Sequence, residues 1–578
     1  MQAKDFSAAE IEVTEAIIQV LEENGIEFVF GVPGGNAMQL FGALSQHRET
    51  IRTVAVRHES LAGVMAEVYG RLTGRPGVVM GQGLFILSNA LLGVMEAMMG
   101  STPMLVMTEM SDGAPFSHHA PYQAGTGDYG TWDASKSFGA VSKETFIAHA
   151  APQAVQLTQT AVRAAVQGQG GPVTLIYHSE ALKGKVGPAE RPHLYSSESY
   201  GQPDPPCAGS ESIAKALAGL NGATRPVIVA GNGIRLARAY RPLQQIAEAT
   251  GAGVTTTSSG KGVFPEDHPQ ALGVFGTFGT PAANAFVGRA DVVLIVGSKM
   301  SPSDTAFENP KLIDPKRQLL VQIDIESRNA GWTFPCDQVL IGDAALVLTQ
   351  MAEAAENLGS ATTDIVKKRR AAIREAQDSF GFFNAPEYAS DEFPMLPQRA
   401  IAGLHRVLAE DAFVACDAGE NRLFMTRFFR TSGTGGFLSP AATGGMGYAI
   451  PAAMAAKLLY PQRQAVAVCG DGGFSMSMNG MLTAVEENIP IVTLVLNNSA
   501  YGWVTHYLED KAIAAEFPDM NAAEIARAMG CRGMRVKTPA QLEEALAQAL
   551  GSDRPSVLDV ICSKKISYRD ILSPLAKG

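Results

Sequence analysis

Two strand-like runs, Ala465-Val466-Ala467-Val468 and residues 491–496, each end in a turn that few architectures can build. The first turn reads Gly470-Asp471-Gly472-Gly473-Phe474 and the second Asn497-Asn498. Strand, glycine-rich turn and helix form the unit of a parallel α/β sheet, in which such turns gather at the carboxyl ends of the strands. Asp471 offers a hard carboxylate oxygen, Asn498 an amide oxygen, and Ala500 a backbone carbonyl just past the turn. Magnesium takes near-octahedral oxygen coordination, usually completed by phosphates and water. Gly470, Gly472 and Gly473 would let backbone approach phosphate groups, and a helix beginning near Ser475 would aim free N–H groups at them. A tight turn followed by an unrelated Asn-Asn turn would give the same letters. Both halves at this spacing favour a diphosphate held through a divalent metal.

The rest of the chain can supply such a scaffold. Its 578 residues suggest three to four domains, and 46% hydrophobic content with 59 glycines suits a large α/β enzyme with many strand–helix turns. A net charge of −11 argues against a nucleic-acid partner. No polybasic segment suggests a membrane surface. Glu10, Glu12 and Glu15 make the N-terminus unlike a secretory signal, and the most apolar stretch, 83–107, is broken by Ser88, Asn89, Glu96 and Pro103. Six scattered cysteines without a CxxC pair read as reduced core residues of a cytoplasmic protein.

Helical patterns at 8–24 and 60–73 alternate with apolar runs at 28–32, 53–56, 77–80 and 104–107, which predicts a parallel doubly wound sheet. A Gly/Pro/Ser-rich linker at 184–209 leads to a second block with strand-like runs at 226–230, 254–257, 291–296 and 319–325. A charged connector containing Lys367-Lys368-Arg369-Arg370, read as a solvated helix face, leads to the third block and its two turns.

Gly-Asp-Gly followed by Asn-Asn at this distance resembles the thiamine-diphosphate (ThDP) motif of the acetolactate synthase and 2-keto acid decarboxylase superfamily, benzoylformate decarboxylase-like members included. The resemblance runs over nearly the whole chain. It implies an α/β fold of three consecutive doubly wound parallel-sheet domains: pyrimidine-binding (1–185), central (205–355) and diphosphate-binding (390–578). It also implies ThDP and Mg²⁺ as cofactors, a homodimer as the minimum active unit, and a homotetramer as a common assembly.

Arg57-His58-Glu59, at the end of a strand and the start of a helix, resembles the family's conserved-glutamate segment. A first-turn acid is favourable at a helix N-terminus in any case. The resemblance gives Glu59 a further role: bonding N1′ of the aminopyrimidine, so that the 4′-nitrogen can remove the C2 proton and leave a cofactor-bound carbanion. Gly444-Gly445-Met446-Gly447 resembles the segment whose apolar side chain, here Met446, bends the cofactor, while the Gly444 carbonyl accepts from the 4′-amino group. Phe30-Gly31-Val32-Pro33-Gly34-Gly35-Asn36 resembles the first active-site loop, which adds Gly34 and Gly35 to the cofactor set; Tyr501 and Gly502 join it from beyond the metal turn.

Substrate residues depart from the family pattern. The usual Gly-Pro-Gly position reads Leu84-Phe85-Ile86, with Phe85 facing the substrate, and Gln82 stands where benzoylformate decarboxylase-like members carry a histidine. His118-His119, ahead of Gly125-Thr126-Gly127-Asp128, resembles the histidine loop of pyruvate decarboxylases, and Gln123 aligns with a substrate-side glutamine of acetolactate synthases. Val504 replaces the glutamate that protonates the enamine in pyruvate decarboxylases, which disfavours a simple decarboxylase. Trp503, Val504 and Tyr507 line the pocket or form the core of an amphipathic helix. In the central block Gly231-Asn232-Gly233 and Gly260-Lys261-Gly262 lack the endings of dinucleotide and P-loop fingerprints. Residues 274–279 and 297–300 resemble segments that hold FAD in acetolactate synthases, but their arginine-bearing stretch is unmatched at Lys299-Met300-Ser301-Pro302, which leaves FAD possible but disfavoured and an ADP or coenzyme A site open. The expectation is a ThDP/Mg²⁺-dependent C–C lyase or carboligase acting on a 2-keto acid or 1,2-diketone. Its competitors are a 2-hydroxyacyl-CoA lyase or oxalyl-CoA decarboxylase-like enzyme, a simple 2-keto acid decarboxylase, and a silent regulatory subunit, which the retained Glu59 and metal set disfavour.

Overall fold

The computed structural model describes residues 3–111, 123–201, 203–358 and 362–573. Internal packing divides the chain into two units, 1–204 with 454–459, and 205–453 with 460–578. The alternation seen in the sequence yields three six-stranded sheets whose strand pairs are all parallel.

In the first unit the sheet is preceded by helix α1 (Val13–Glu23), shorter than the expected 8–24 because Ile11 and Glu12 pair antiparallel with Val186 and Lys185. The sheet comprises β1 (Phe28–Val32), β2 (Arg52–Ala55), β3 (Gly77–Gly81), β4 (Met104–Met110), β5 (Glu144–Ala148) and β6 (Pro172–His178), in the order β2-β1-β3-β4-β6-β5. β3 and β4 are buried along their whole length, as continuous apolar runs in a sheet covered on both faces must be. α2 (Glu59–Thr73) follows β2 and ends on Gly74 at φ 73°, a left-handed cap suited to glycine. α3 (Gly83–Asn89) and α4 (Leu91–Gly100) follow β3 and meet at a 64° bend. Among the described residues no single helix is long and apolar enough to cross a membrane.

The second unit holds two sheets. One comprises β7 (Pro226–Ala230), β8 (Gly253–Thr256), β9 (Ala271–Val274), β10 (Val292–Val296), β11 (Leu319–Asp324) and β12 (Gln338–Ile341), ordered β9-β8-β7-β10-β11-β12. The other comprises β13 (Phe413–Cys416), β14 (Phe437–Leu438), β15 (Ala465–Gly470), β16 (Val492–Asn497), β17 (Arg532–Val536) and β18 (Ser556–Ile561), ordered β14-β13-β15-β16-β18-β17. The first and third sheets therefore share one topology, and the central sheet has the doubly wound dinucleotide-fold order. In each, the chain crosses from one side of its starting strand to the other, and at that switch the carboxyl ends of two neighbouring strands open a crevice. That point lies between β1 and β3 in the first sheet and between β13 and β15 in the third.

The connector helix α5 (Thr363–Phe380) carries the basic run, and it corrects one expectation. Lys367, Lys368 and Arg370 are exposed, but Arg369 is buried and donates to the backbone carbonyls of Asn221, Ala223 and Thr250. Gly260-Lys261-Gly262 also has a structural role. Lys261 is fully buried, its Nζ 2.8 Å from both oxygens of buried Glu266, which in turn accepts from the amide and hydroxyl of Thr431. Breaking one side of a buried pair strands a charge. Lys261→Met should therefore cost about 3 kcal/mol of stability. Lys261→Met/Glu266→Gln should recover most of that, since the neutral amide still accepts from Thr431; denaturant midpoints of the single and double variants test both statements.

Candidate active site

In the second unit the crevice between β13 and β15 is built by three turns. β15 runs into α6 (Asp471–Ser477), so the helix starts four residues earlier than the expected Ser475, with Gly470 as its cap. Asp471 is buried. Its Oδ1 accepts from the Gly472 amide at 2.9 Å and its Oδ2 from the Ser499 amide at 2.5 Å. Burial pushes its pKa up to about 6 despite amide donors from Gly472, Ser499 and Asn498. Asn498 Oδ1 accepts from the Ala500 amide at 3.1 Å, folding the turn after β16 back toward Asp471. Asp471 and the residues of this turn thus lie together, as the sequence spacing implied.

The glycines have a second reason to be glycines. A Cβ on Gly472 would sit 2.5 Å from the Tyr501 ring and 3.2 Å from Met446 Cε; one on Gly473 would sit 3.0 Å from the Asp417 carboxyl group. One on Gly502 would lie 2.3 Å from Glu420 Oε2, whereas Gly470 meets nothing closer than 4.0 Å. Tyr501, Met446 and the Gly472 backbone therefore form one surface.

Sequence reading missed the residue that fixes this surface. Asp417, just past β13, is buried and holds the amides of Ala418 (2.8 Å), Gly447 (2.9 Å) and Ala449 (3.3 Å), together with that of Tyr448. Its carboxylate pins the turn that carries Gly444 at φ 71° and Gly447 at φ 87°, and so the placement of Met446. Burial raises its pKa to about 6. Glu420 was missed as well: its carboxylate accepts from the Tyr568 amide at 2.8 Å and meets His506 Nδ1 at 2.6 Å, and burial raises its pKa. On α7 (Gly502–Leu508), Trp503 stacks on Tyr568 at 4.5 Å with parallel rings, while Val504 and Tyr507 are exposed. Trp503 therefore packs inward, while Val504 and Tyr507 present their side chains outward.

In the first unit the crevice between β1 and β3 receives Gly34, Gly35 and Asn36 from one strand end and Gln82 from the other. A Cβ on Gly34 would lie 3.0 Å from Gln82 Oε1. Gln123, at φ 56°, accepts from the Leu84 amide at 2.9 Å and so touches the start of α3. At the far end of α3, Asn89 Nδ2 donates to Glu59 Oε2 at 2.9 Å, a partner that sequence reading did not supply. Phe85 is exposed on α3. His118 and His119 lie outside the described residues.

The central glycine segments serve close packing. A Cβ on Gly231 would lie 2.2 Å from the Gly297 carbonyl, and one on Gly233 2.6 Å from Gly297 Cα.

Three family models match in chain order. They are the thiamine pyrophosphate enzyme N-terminal TPP binding domain at 11–125, the central domain at 213–351 and the C-terminal TPP binding domain at 417–560. The chain belongs to the thiamine pyrophosphate (thiamine diphosphate) enzyme family. Relatives extend over almost its full length. A probable acetolactate synthase large subunit of Methanocaldococcus jannaschii is 28% identical over 95% of this chain and 91% of its own. The putative thiamine pyrophosphate-containing protein YdaP of Bacillus subtilis is 28% identical over 95% and 91%. The acetolactate synthase isozyme 3 large subunit of Escherichia coli is 28% identical over 93% and 92%. This family member is a ThDP-dependent, acetolactate synthase-like enzyme of the carboligase or lyase type.

The donor set also fits a hard divalent cation. No group of three or more His, Cys, Asp or Glu among the described residues can hold a metal. A cation at this turn would use one buried carboxylate, one amide oxygen and one backbone carbonyl, which is magnesium chemistry. A buried carboxylate offset only by amides has the charge such an ion would neutralise.

Proposed function

We propose that this enzyme joins or cleaves C–C bonds next to the carbonyl of a 2-keto acid or 1,2-diketone, in the manner its acetolactate synthase relatives' names describe. The observation that carries the reading is the shared surface of Met446, Tyr501 and the Gly472 backbone beside Asp471 and the Asn498 turn. The cofactor, when bound, supplies a nucleophilic carbon that adds to the substrate carbonyl. Asp471, Asn498 and the Ala500 carbonyl would hold Mg²⁺ beside its diphosphate, Met446 would pack against it, and Glu59, oriented by Asn89, would hold a proton at its pyrimidine. FAD remains disfavoured, since the arginine-bearing stretch that holds it in acetolactate synthases is unmatched at Lys299-Met300-Ser301-Pro302. The six cysteines carry no disulfide, which fits a reducing cytoplasm.

Glu59 of one chain serves Asp471 of another in this reading, so the active unit is a homodimer, paired further into a homotetramer. Leu84, Phe85, Leu91 and Met99 are exposed along α3 and α4, an apolar face suited to association. Subunit mixing tests the arrangement. Glu59→Gln chains and Asp471→Ala chains are each inactive alone; after exchange, half the dimers are mixed and each has one intact site, so about a quarter of wild-type activity returns. No recovery would place both residues in one chain's site. Mass-spectrometric product analysis with pyruvate, benzoylformate, 1,2-diketones and hydroxyacyl-CoA thioesters then identifies the substrate; cleavage of the thioesters alone would overturn the reading.

A further inference from the structure

We propose that Glu109 is a specificity-determining residue of this enzyme, setting a negative charge in the substrate crevice of the first unit. The inference rests on the ThDP reading of the site and adds a charge requirement for the substrate. Glu109 occupies the carboxyl end of β4, next to β3, and is 6% exposed. Its side chain reaches toward the crevice between β1 and β3. Asn36 Nδ2 donates to Oε2 at 3.3 Å, and a Cβ on Gly35 would come within 2.4 Å of Oε1 and 2.9 Å of Gln82 Cγ. Gly35 is at φ 55° and leaves the carboxylate room that any other residue would take. The Glu109 backbone contributes too: a Cβ on Gly83 would lie 3.1 Å from its carbonyl and 3.0 Å from Gln123 Oε1. Glu109 thus lies amid Gly35, Asn36, Gln82 and Gln123, the residues that the sequence pattern assigns to the cofactor loop and the substrate.

A carboxylate here is an acceptor only, and in a partly dry crevice its charge acts at low effective dielectric. It favours a substrate that presents a hydroxyl or other hydrogen-bond donor and disfavours one that presents a carboxylate at the same place. The substrate class is then a neutral hydroxy-aldehyde, hydroxy-ketone or diketone on the side facing Glu109.

Glycolaldehyde and glyoxylate are matched probes, two-carbon aldehydes differing by a hydroxymethyl or a carboxylate group. In the holoenzyme, Glu109→Gln keeps the shape and the Asn36 contact but removes the charge. The ratio of kcat/KM for glyoxylate over glycolaldehyde as acceptors should rise about tenfold. A rise below threefold, or a fall, overturns the proposal and leaves Glu109 as a support for the Gly35 turn. If neither aldehyde reacts, the dissociation constants of the unreactive pair oxamate and glycolamide are read with the same thresholds, and binding of neither to wild-type holoenzyme overturns it. Glu109→Met, of similar size, serves if the glutamine variant does not fold. Exchange of the cofactor C2 proton is measured alongside: its absence in the wild type counts against the ThDP reading, while normal exchange with an unchanged ratio counts against Glu109 alone.

Discussion

Glu59→Gln protein, loaded with ThDP and Mg²⁺, should exchange the cofactor C2 proton about a thousandfold more slowly than wild type, within the range that positioned acid–base groups contribute. Cofactor affinity should change by less than tenfold, because glutamine keeps the size of the side chain and its contact with Asn89. The geometry explains the separation. Glu59 stands in the first turn of α2, while Asn89, at the end of α3, holds one carboxylate oxygen at 2.9 Å. That contact orients the group and leaves the other oxygen to meet a pyrimidine nitrogen. Asn89→Ala should therefore slow exchange by a smaller factor, about tenfold, by releasing the orientation and keeping the charge. Deuterium exchange quenched in acid and read by NMR measures both variants. Near-normal exchange in the glutamine variant would remove Glu59 from the chemistry.

The strands buried on both faces were the legible part of the fold, because apolar runs such as Pro226–Ala230 and Phe28–Val32 have no other use in a chain of this kind. Edge and short strands were not. β5, β12 and β17 are only half-buried, β9 contains Gly273 at φ 79°, and β14 has two residues, so none presents a clean apolar period. β6 and β13 were overlooked although both carry buried apolar runs. Around the candidate site, the turns themselves were legible: Asp471, Asn498, Gly34 and Gly35 stand at strand ends, where the sequence places them. Asp417, Glu420, Asn89 and Glu109 were not, since each acts on residues that only the sheet order brings near. Asp417 and Gly447 are thirty positions apart, and nothing in either segment names the other. The same physics misled the reading of Lys367-Lys368-Arg369-Arg370, where helical phase turns one of four cations inward.

Asp417→Ala should weaken ThDP/Mg²⁺ binding by at least a hundredfold, more than any other single change outside the direct metal set. The carboxylate is the common acceptor of the Ala418, Gly447, Tyr448 and Ala449 amides. Each buried donor left unmatched costs about 1–3 kcal/mol, so the turn must rearrange to reach water, and Met446 moves with it. The fold retains this group at a cost. Its folded pKa of about 6 lies above the ordinary 3.8, so its proton-linked stability is complete below about pH 4 and is lost as pH rises through 6. At pH 7 the ionised carboxylate is therefore unfavourable for folding, and its retention points to the turn it organises. Asp417→Asn separates the two effects. One amide oxygen still accepts while the NH₂ opposes the remaining N–H groups, so affinity should fall about tenfold, short of the alanine variant. Calorimetric titration of cofactor and magnesium into both variants, with Glu59→Gln as the control that still binds, measures the order. An alanine variant that binds like wild type would show that the Gly444–Gly447 turn holds its shape without Asp417.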